Sequence, residues 1–285
     1  MALKLLTLIC FVSLSVGALA ALGFYRAKLE NARIIGDHIL GGQPVVALDL
    51  RPQVYADLPA PVQRYFDFAF NGQTSITLRS VEWDQTGDFM LPVVGQFYAD
   101  GHQINRPNTP VYAFTGWFWR FGLPLIESRD AFLLDSHDMR AKLLGWKTVM
   151  HTDYTDATEV NSLHSYLVLR YYGQAPLMPW ALLPNEFVAW EANDDASAYL
   201  HLTVDGLAGR YLVHFGDRGE ITSMKGDRLL MEGNGAMQRE VGLKTDYQEI
   251  NGFMVPTRLE YRWFDEDEVL ISRFNSQISD MRVNP

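Results

Sequence analysis

The chain has 285 residues, of which 48% are hydrophobic and 20% charged, a balance that suits one large or two modest globular domains. Its formal net charge of −10 excludes the basic footprint of a nucleic-acid-binding protein and the polybasic patch that anionic lipid headgroups attract. The single cysteine, Cys10, lies in an apolar N-terminal segment, so disulfides, thiolate metal sites and a cysteine nucleophile are excluded from the remainder.

Residues 5–25 form a stretch without charged side chains. A helix of about 20 apolar residues crosses a bilayer core, whereas the apolar core of a cleavable signal peptide has roughly 7–15 residues. The stretch therefore predicts a single-pass anchor over residues 1–25 in the cell membrane. Arg26, Lys28 and Arg33 against Lys4 slightly favour a cytoplasmic body by the positive-inside rule, whereas an A-x-A pattern and the absence of cysteine from the body suit export, and a body outside the cytoplasm is predicted. Ala18-Leu19-Ala20 also fits an A-x-A cleavage pattern, so release as a secreted or periplasmic protein stays open as the alternative.

The region after the anchor is predicted to be a stalk and linker over residues 26–54, since glycine and proline interrupt it repeatedly. A single globular domain is expected over residues 55–285. Its first element is a predicted helix over about residues 60–70, in which Pro61 suits the first helical position. The apolar residues of this helix follow the i, i+3, i+4, i+7 spacing: Val62, Tyr65, Phe66 and Ala69.

Most of the remaining domain has the alternating pattern of antiparallel strands. Residues 256–263 are a predicted half-buried strand, with Leu259, Tyr261 and Trp263 on one face. Residues 110–150 are predicted to form three strands. A second helix is predicted over about residues 160–172, followed by a rigid proline-rich strap. The predicted fold class is α+β, with a large twisted antiparallel sheet, open or curved into a half-open barrel, a few packing helices and an apolar N-terminal helix.

The chain contains no motif for catalysis, a cofactor or a metal. Its seven histidines lack the H-x-H, H-x-x-x-H and H-E-x-x-H spacings, and neither a G-x-S-x-G elbow nor a phosphate-binding loop occurs. Carboxylate pairs such as Glu127 with Asp130 arise by chance among 34 acidic residues. No catalytic residue, no cofactor and no metal ligand is therefore predicted.

Aromatic residues are dense around residues 117–121, where strand alternation sets Trp117 and Trp119 on one face and Phe118 on the other. Aromatics on both faces indicate a sheet covered on both sides, either by packing alone or around an apolar ligand cavity. The tryptophans predicted to bind a ligand are Trp117, Trp119, Trp146, Trp180 and Trp190. A polar network is predicted from Arg129, Asp130, Arg170 and Glu191, which either hold helix to sheet or serve an enzyme.

Several segments in sequence order resemble a bacterial, often membrane-anchored family of unknown function. They are LPxPVxRYF over residues 58–66, SRD over 128–130, ALLP over 181–184 and WEA over 190–192. A looser resemblance concerns residues 246–263, which are similar to strands of periplasmic carriers of outer-membrane lipoproteins. That resemblance implies a half-open antiparallel barrel that holds acyl chains.

Functions of different classes stay open. The first is an envelope protein that binds a lipid or another apolar small molecule in a sheet-lined cavity and contacts the membrane through its N-terminal segment. The second is a hydrolase-like enzyme of unknown substrate, and the third is a structural or partner-binding envelope protein. Nucleic acid is not a predicted partner.

Overall fold

A computed structural model describes residues 2–41, 44–91, 94–134, 136–152, 157–204, 206–229 and 237–284 of the chain. The α-helices are α1 (Ala2–Ile34), α2 (Ala60–Phe70) and α3 (Ala157–Gly173), and a π-helical segment, Ile35–Leu40, continues α1. Short 3-10 turns cover Pro52–Val54, Ala175–Leu177 and Pro179–Leu182. Within these ranges no helix is both long enough and apolar enough to cross a bilayer, so the anchor stays a prediction.

The strands, in chain order, are β1 (Val46–Asp49), β2 (Ser75–Leu78), β3 (Ser80–Leu91), β4 (Gly95–Asn105), β5 (Tyr112–Arg120), β6 (Leu123–Phe132), β7 (His137–Leu143), β8 (Lys147–His151), β9 (Val188–Asp194), β10 (Ser197–Val204), β11 (Leu207–Phe215), β12 (Ile221–Leu229), β13 (Met237–Ile250), β14 (Phe253–Phe264) and β15 (Leu270–Asn284). β1 and β2 pair as a separate ribbon. The others form one antiparallel sheet in the order β8-β7-β6-β5-β4-β3-β15-β14-β13-β12-β11-β10-β9.

The chain builds this sheet outward from its middle. β3 to β8 follow one another to one edge, α3 then crosses the inner face of the sheet, and β9 begins at the other edge. β10 to β15 return to the middle, where β15 pairs with β3. The predicted α+β class with one large antiparallel sheet is confirmed, and the sheet is open rather than closed, because β8 and β9 are its two edges.

Residues 110–150 form four strands instead of the three that the sequence predicts. The unpredicted reversal lies between β7 and β8, where Leu144 and Gly145 both have positive φ angles, of 52° and 74°. Two such residues make the tight turn that suits a hairpin. Leucine rarely adopts that conformation, so its side chain gives no turn signal in the sequence.

Part of the core lies under α2, which has the predicted limits. Val62, Tyr65 and Phe66 are completely buried, and full burial of one such apolar side chain stabilises the fold by roughly 1.5–3 kcal/mol. Pro61 occupies the first turn, and Asn71 ends the helix in the left-handed conformation, as expected from its tolerance of positive φ. The periodicity of a short sequence is enough to predict this helix.

The end of α1 packs against the outer face of β6 and β7. Glu30 accepts hydrogen bonds from Arg140 and from Lys142, the latter at 2.9 Å, and Asn31 Oδ1 accepts one from Arg129 Nη1 at 2.8 Å. Burial favours the neutral acid, but the two cations together lower the pKa of Glu30 to about 2. This part of the predicted stalk therefore lies against the sheet.

The proline-rich strap, residues 174–187, closes the inner core at the same end of the sheet as α2. Trp180 lies in its second 3-10 turn, is 1% exposed, and meets the Phe253 ring edge-on at a centroid distance of 5.1 Å. Trp190, at the end of the strap, donates from Nε1 to the Leu182 carbonyl at 2.9 Å. The strap thus closes a core through these contacts.

Replacing Trp180 by alanine should therefore remove a core contact. We expect Trp180→Ala to lower the free energy of unfolding by about 3–5 kcal/mol. Phe121→Ala is the matched control, because the Phe121 side chain is 87% exposed, and it should change that free energy by about 0.5 kcal/mol or less. Urea denaturation followed by circular dichroism measures both, and equal losses would contradict the core role of Trp180.

Candidate functional site

A cavity of about 450 Å³ lies between the inner face of the sheet and α3. It spans the middle of the sheet, with lining residues from β3 to β8 on one side and from β13 to β15 on the other. α3 contributes Tyr166 and Arg170, and Gln174 follows directly after it. The cavity is therefore bounded by both halves of the sheet and by the helix that connects them.

Aromatic rings form much of the cavity wall. Phe89 is central to them: its ring centroid lies 5.3 Å from that of Phe118, 5.6 Å from that of Phe274 and 6.4 Å from that of Trp263. These contacts join β3, β5, β14 and β15. Tilted and edge-to-face pairs at such distances are favourable beyond the area they bury, so the wall has a defined shape even where the space before it is unfilled.

The cavity floor, defined by Gln85, Asp130, Arg170 and Gln174, is polar. Arg170 on α3 pairs with Asp130 on β6, and its guanidinium lies 4.9 Å from the centre of the Phe114 ring. Burial disfavours the charged guanidinium, but the Asp130 carboxylate outweighs it and holds the pKa of Arg170 above its usual value. The ion pair thus connects helix to sheet at the deep end of the cavity.

One further carboxylate, Glu240, lies in the wall near α3. Its two oxygens accept hydrogen bonds from Tyr211 Oη at 2.9 Å and from Trp263 Nε1 at 2.8 Å. With Asp130 and Arg170, the described lining residues therefore include two carboxylates and one guanidinium. They carry no surplus of positive charge, so they would not match an anionic ligand electrostatically.

Lys244 on β13 lies behind the cavity wall. Its Nζ is 4.3 Å from the centre of the ring of Tyr261, a lining residue. The side chain is 1% exposed, and among the described residues Nζ has no hydrogen-bond partner. Burial disfavours the ammonium form and, although Glu240 opposes this effect, lowers the pKa of Lys244 to about 7. A buried amine thus borders the apolar site.

None of the five tryptophans predicted to bind a ligand is among the described residues that line the cavity. On β5, the inner-facing residues Phe114 and Phe118 line it, whereas Trp117 faces outward and stacks on Phe24 of α1 at 5.3 Å. Trp119 has the same parity on the strand as Trp117. The sequence predicts correctly that the two faces of β5 differ, but the tryptophans that it assigned to ligand binding lie on the outer face.

The remaining predicted tryptophans also lie elsewhere. Trp146 is in the turn between β7 and β8, where its Nε1 donates to the Leu19 carbonyl of α1 at 2.8 Å. Trp180 and Trp190 belong to the core beneath the strap. Trp263 does line the cavity, and its alternation with Tyr261 and Leu259 is the sequence signal that could have identified it.

The four predicted polar residues separate into different places. Asp130 and Arg170 form the ion pair of the cavity floor, which connects α3 to β6. Arg129, the neighbour of Asp130, points to the outer face and donates to Asp138 at 2.6 Å; burial lowers its pKa and Asp138 opposes that effect. Glu191 on β9 pairs with His201 at 2.6 Å and is largely exposed.

The described residues also contain no group of three or more His, Cys, Asp or Glu side chains arranged to hold a metal. What the cavity offers chemically is an apolar wall and a polar floor whose charged groups already have partners.

Comparison with known proteins places the chain in a family. Residues 56–282 match the family of unknown function DUF6920. The chain belongs to that family. The match includes all four segments on which the resemblance was based, and the predicted relation to a family of unknown function is confirmed. No curated protein matches the chain.

Solved structures were compared as well. A LolA superfamily protein from Nitrosomonas europaea is 9% identical over 79% of this chain and 92% of its own, with a TM-score of 0.41. The dehydratase domain from the CurJ module of curacin polyketide synthase is 11% identical over 88% of this chain and 89% of its own, with a TM-score of 0.17.

The ion pair at the cavity floor can be tested by removing one charge. Asp130→Asn leaves the buried Arg170 guanidinium without its counter-charge and should lower the free energy of unfolding by about 3–5 kcal/mol. The uncharged double variant Asp130→Leu/Arg170→Met should lose less than the single one. Glu191→Gln, at the exposed pair, is the control and should cost less than about 1 kcal/mol. A double variant less stable than Asp130→Asn in urea denaturation would contradict this role.

The buried amine of Lys244 predicts a pH dependence of stability. Between about pH 7 and its ordinary pKa of 10.5, the unfolded chain binds the proton that the folded chain has lost, so the free energy of unfolding rises with pH in that window. Between pH 7.5 and 9.5 the free energy of unfolding of the unaltered protein should rise by about 2 kcal/mol more than that of Lys244→Met. Urea denaturation of both proteins at the two pH values measures it, and parallel responses would contradict the lowered pKa.

Proposed function

We propose that this protein binds an apolar ligand, such as a lipid acyl chain or a molecule of similar character, in the cavity between its sheet and α3. The observation that carries the proposal is a space of about 450 Å³ bounded largely by aromatic and aliphatic side chains. Ligand sites in proteins are typically apolar concavities of roughly 300–1,000 Å³ with a few placed polar groups. A solid interior would have supported a purely structural role instead.

The polar groups of the cavity narrow the ligand class. Asp130 and Glu240 are acceptors, and the one cation among them, Arg170, is already paired. Among the described lining residues a fatty-acid carboxylate would meet two like charges and no unpaired cation, which disfavours it. A neutral polar end, for example a glycerol hydroxyl, carries no such cost. We therefore infer an uncharged ligand with a long apolar part.

The wall offers a position at which the cavity can be filled without touching its charged groups. Ala141 on β7 lines it, whereas Ala189 on β9 is exposed and lies outside it. A tryptophan at position 141 should occupy space that the ligand needs. The neutral fluorescent probe N-phenylnaphthylamine should bind the unaltered protein at least about tenfold more tightly than Ala141→Trp, a difference of about 1.4 kcal/mol.

Ala189→Trp is the matched control and should bind N-phenylnaphthylamine as the unaltered protein does. Monooleoylglycerol should displace the bound probe at lower concentration than oleate, because only oleate brings a carboxylate. Undiminished probe binding by a folded Ala141→Trp would refute the cavity as the binding site. Preferential displacement by oleate would refute the inferred neutral ligand class.

A further inference from the structure

Exposed apolar side chains concentrate at one end of the sheet. The hairpins β3–β4, β5–β6, β7–β8 and β14–β15 all turn at this end, because Leu91 pairs with Gly95, Arg120 with Leu123, Leu143 with Lys147 and Phe264 with Leu270. Their turns expose Val94, Phe121, Leu123, Trp146 and Val269. We call these five residues the apolar tips. Phe121 is the most exposed of them, at 87%.

The cavity opens toward the same end. Its deep lining residues, Gln85 and Asp130, are at most 5% exposed. Leu91, Ile126 and Ile271 also line it, but they lie beside the hairpin turns and are only partly buried. An apolar ligand would therefore enter or leave between the apolar tips.

α1 runs along the outer face toward this end as well. Ile39, just after α1, packs on Ile104 and Val111 at the far end of the strands. Glu30 and Asn31 lie against the middle of β6 and β7. Leu19 reaches the turn that holds Trp146. From Ile39 through Glu30 to Leu19, that is, toward the N-terminus of α1, the contacts come steadily nearer the apolar tips.

The part of α1 that precedes Leu19 therefore extends past the apolar tips. It covers residues 2–18, about 25 Å at the helical rise of about 1.5 Å per residue, and from residue 5 onward it has no charged side chain. A long uncharged helix and a set of exposed apolar turns thus leave the same end of the molecule. That combination matches a lipid bilayer better than a second protein, whose surface would have to accommodate both.

We propose that the end of the sheet carrying the apolar tips docks on a lipid bilayer, with the cavity opening onto the membrane surface. Tryptophan suits the interface between headgroups and acyl chains, and apolar side chains at such surfaces enter to roughly 5–10 Å. Arg120 and Arg26 lie 5.1 Å and 5.3 Å from the ring centres of Phe121 and Trp146, within reach of lipid phosphates. The net charge of −10 favours zwitterionic over anionic lipid.

This docking surface lies outside the cavity, so its test does not depend on the proposed ligand. In the full chain, Cys10→Ser removes the natural thiol, and Phe121→Cys then accepts a nitrobenzoxadiazole label at an apolar tip. Glu249→Cys provides the matched control, since Glu249 is exposed near the β13–β14 turn at the opposite end of the sheet. Both proteins are reconstituted in phosphatidylcholine nanodiscs, with and without phosphatidylcholine that bears a nitroxide on its acyl chain.

We expect the nitroxide lipid to quench the label at position 121 several-fold more than the label at position 249, because contact quenching requires the label to lie at the depth of the acyl chains. Equal, weak quenching at both positions, with position 121 open to aqueous iodide, would overturn the proposal. So would a label at position 121 that is shielded from iodide but not quenched by lipid, since that pattern indicates contact with a second protein copy.

Discussion

The pairing of β15 with β3 is the contact on which the rest of the structure depends. It joins two halves of the sheet that the chain makes separately, and it sets Phe274 opposite Phe89, the ring at the centre of the cavity wall. The two strands approach so closely that a side chain at Gly87 would meet the Asn275 carbonyl oxygen at 1.8 Å. Glycine is therefore required there by the neighbouring backbone. Without this pairing the concave inner face, and the cavity that spans it, would not exist.

The two faces of β6 and β7 divide the charged residues between structure and site. Alternation sends Arg129, Arg140 and Lys142 to the outer face, where they form ion pairs with Glu30 of α1 and Asp138 of β7. The same alternation leaves one carboxylate, Asp130, on the inner face, where it meets Arg170. Buried ion pairs contribute little net stability but are costly to break. Both sets therefore act chiefly to hold a helix in one position on the sheet, α1 outside and α3 inside.

Local residue patterns are enough to predict the helices and strands. The site depends on which residues face each other across paired strands, and the sequence does not show that register. α2 follows from the spacing of Val62, Tyr65 and Phe66, since a helix brings such residues together by itself. The wall around Phe89 joins residues about 185 positions apart in the chain, and only strand pairing decides that Phe118 rather than Trp117 faces them. Asp130 and Arg170 were predicted only as members of a polar network that also included Arg129 and Glu191, and which of the four residues pair is again decided by the fold.

The distribution of apolar side chains gives the molecule two unlike ends. At the end of α2 and the strap, Phe66 stacks on Phe70, and both Phe70 and Trp180 meet the Phe253 ring edge-on. Toward the hairpin end, apolar groups line the cavity on the inner face or point outward at the apolar tips. The Arg170–Asp130 pair lies at the boundary, where it fixes α3 without filling the space beyond. A well-packed end that supplies stability thus allows the other end to remain open and apolar, which is the arrangement that the proposed binding of an apolar ligand at a bilayer requires.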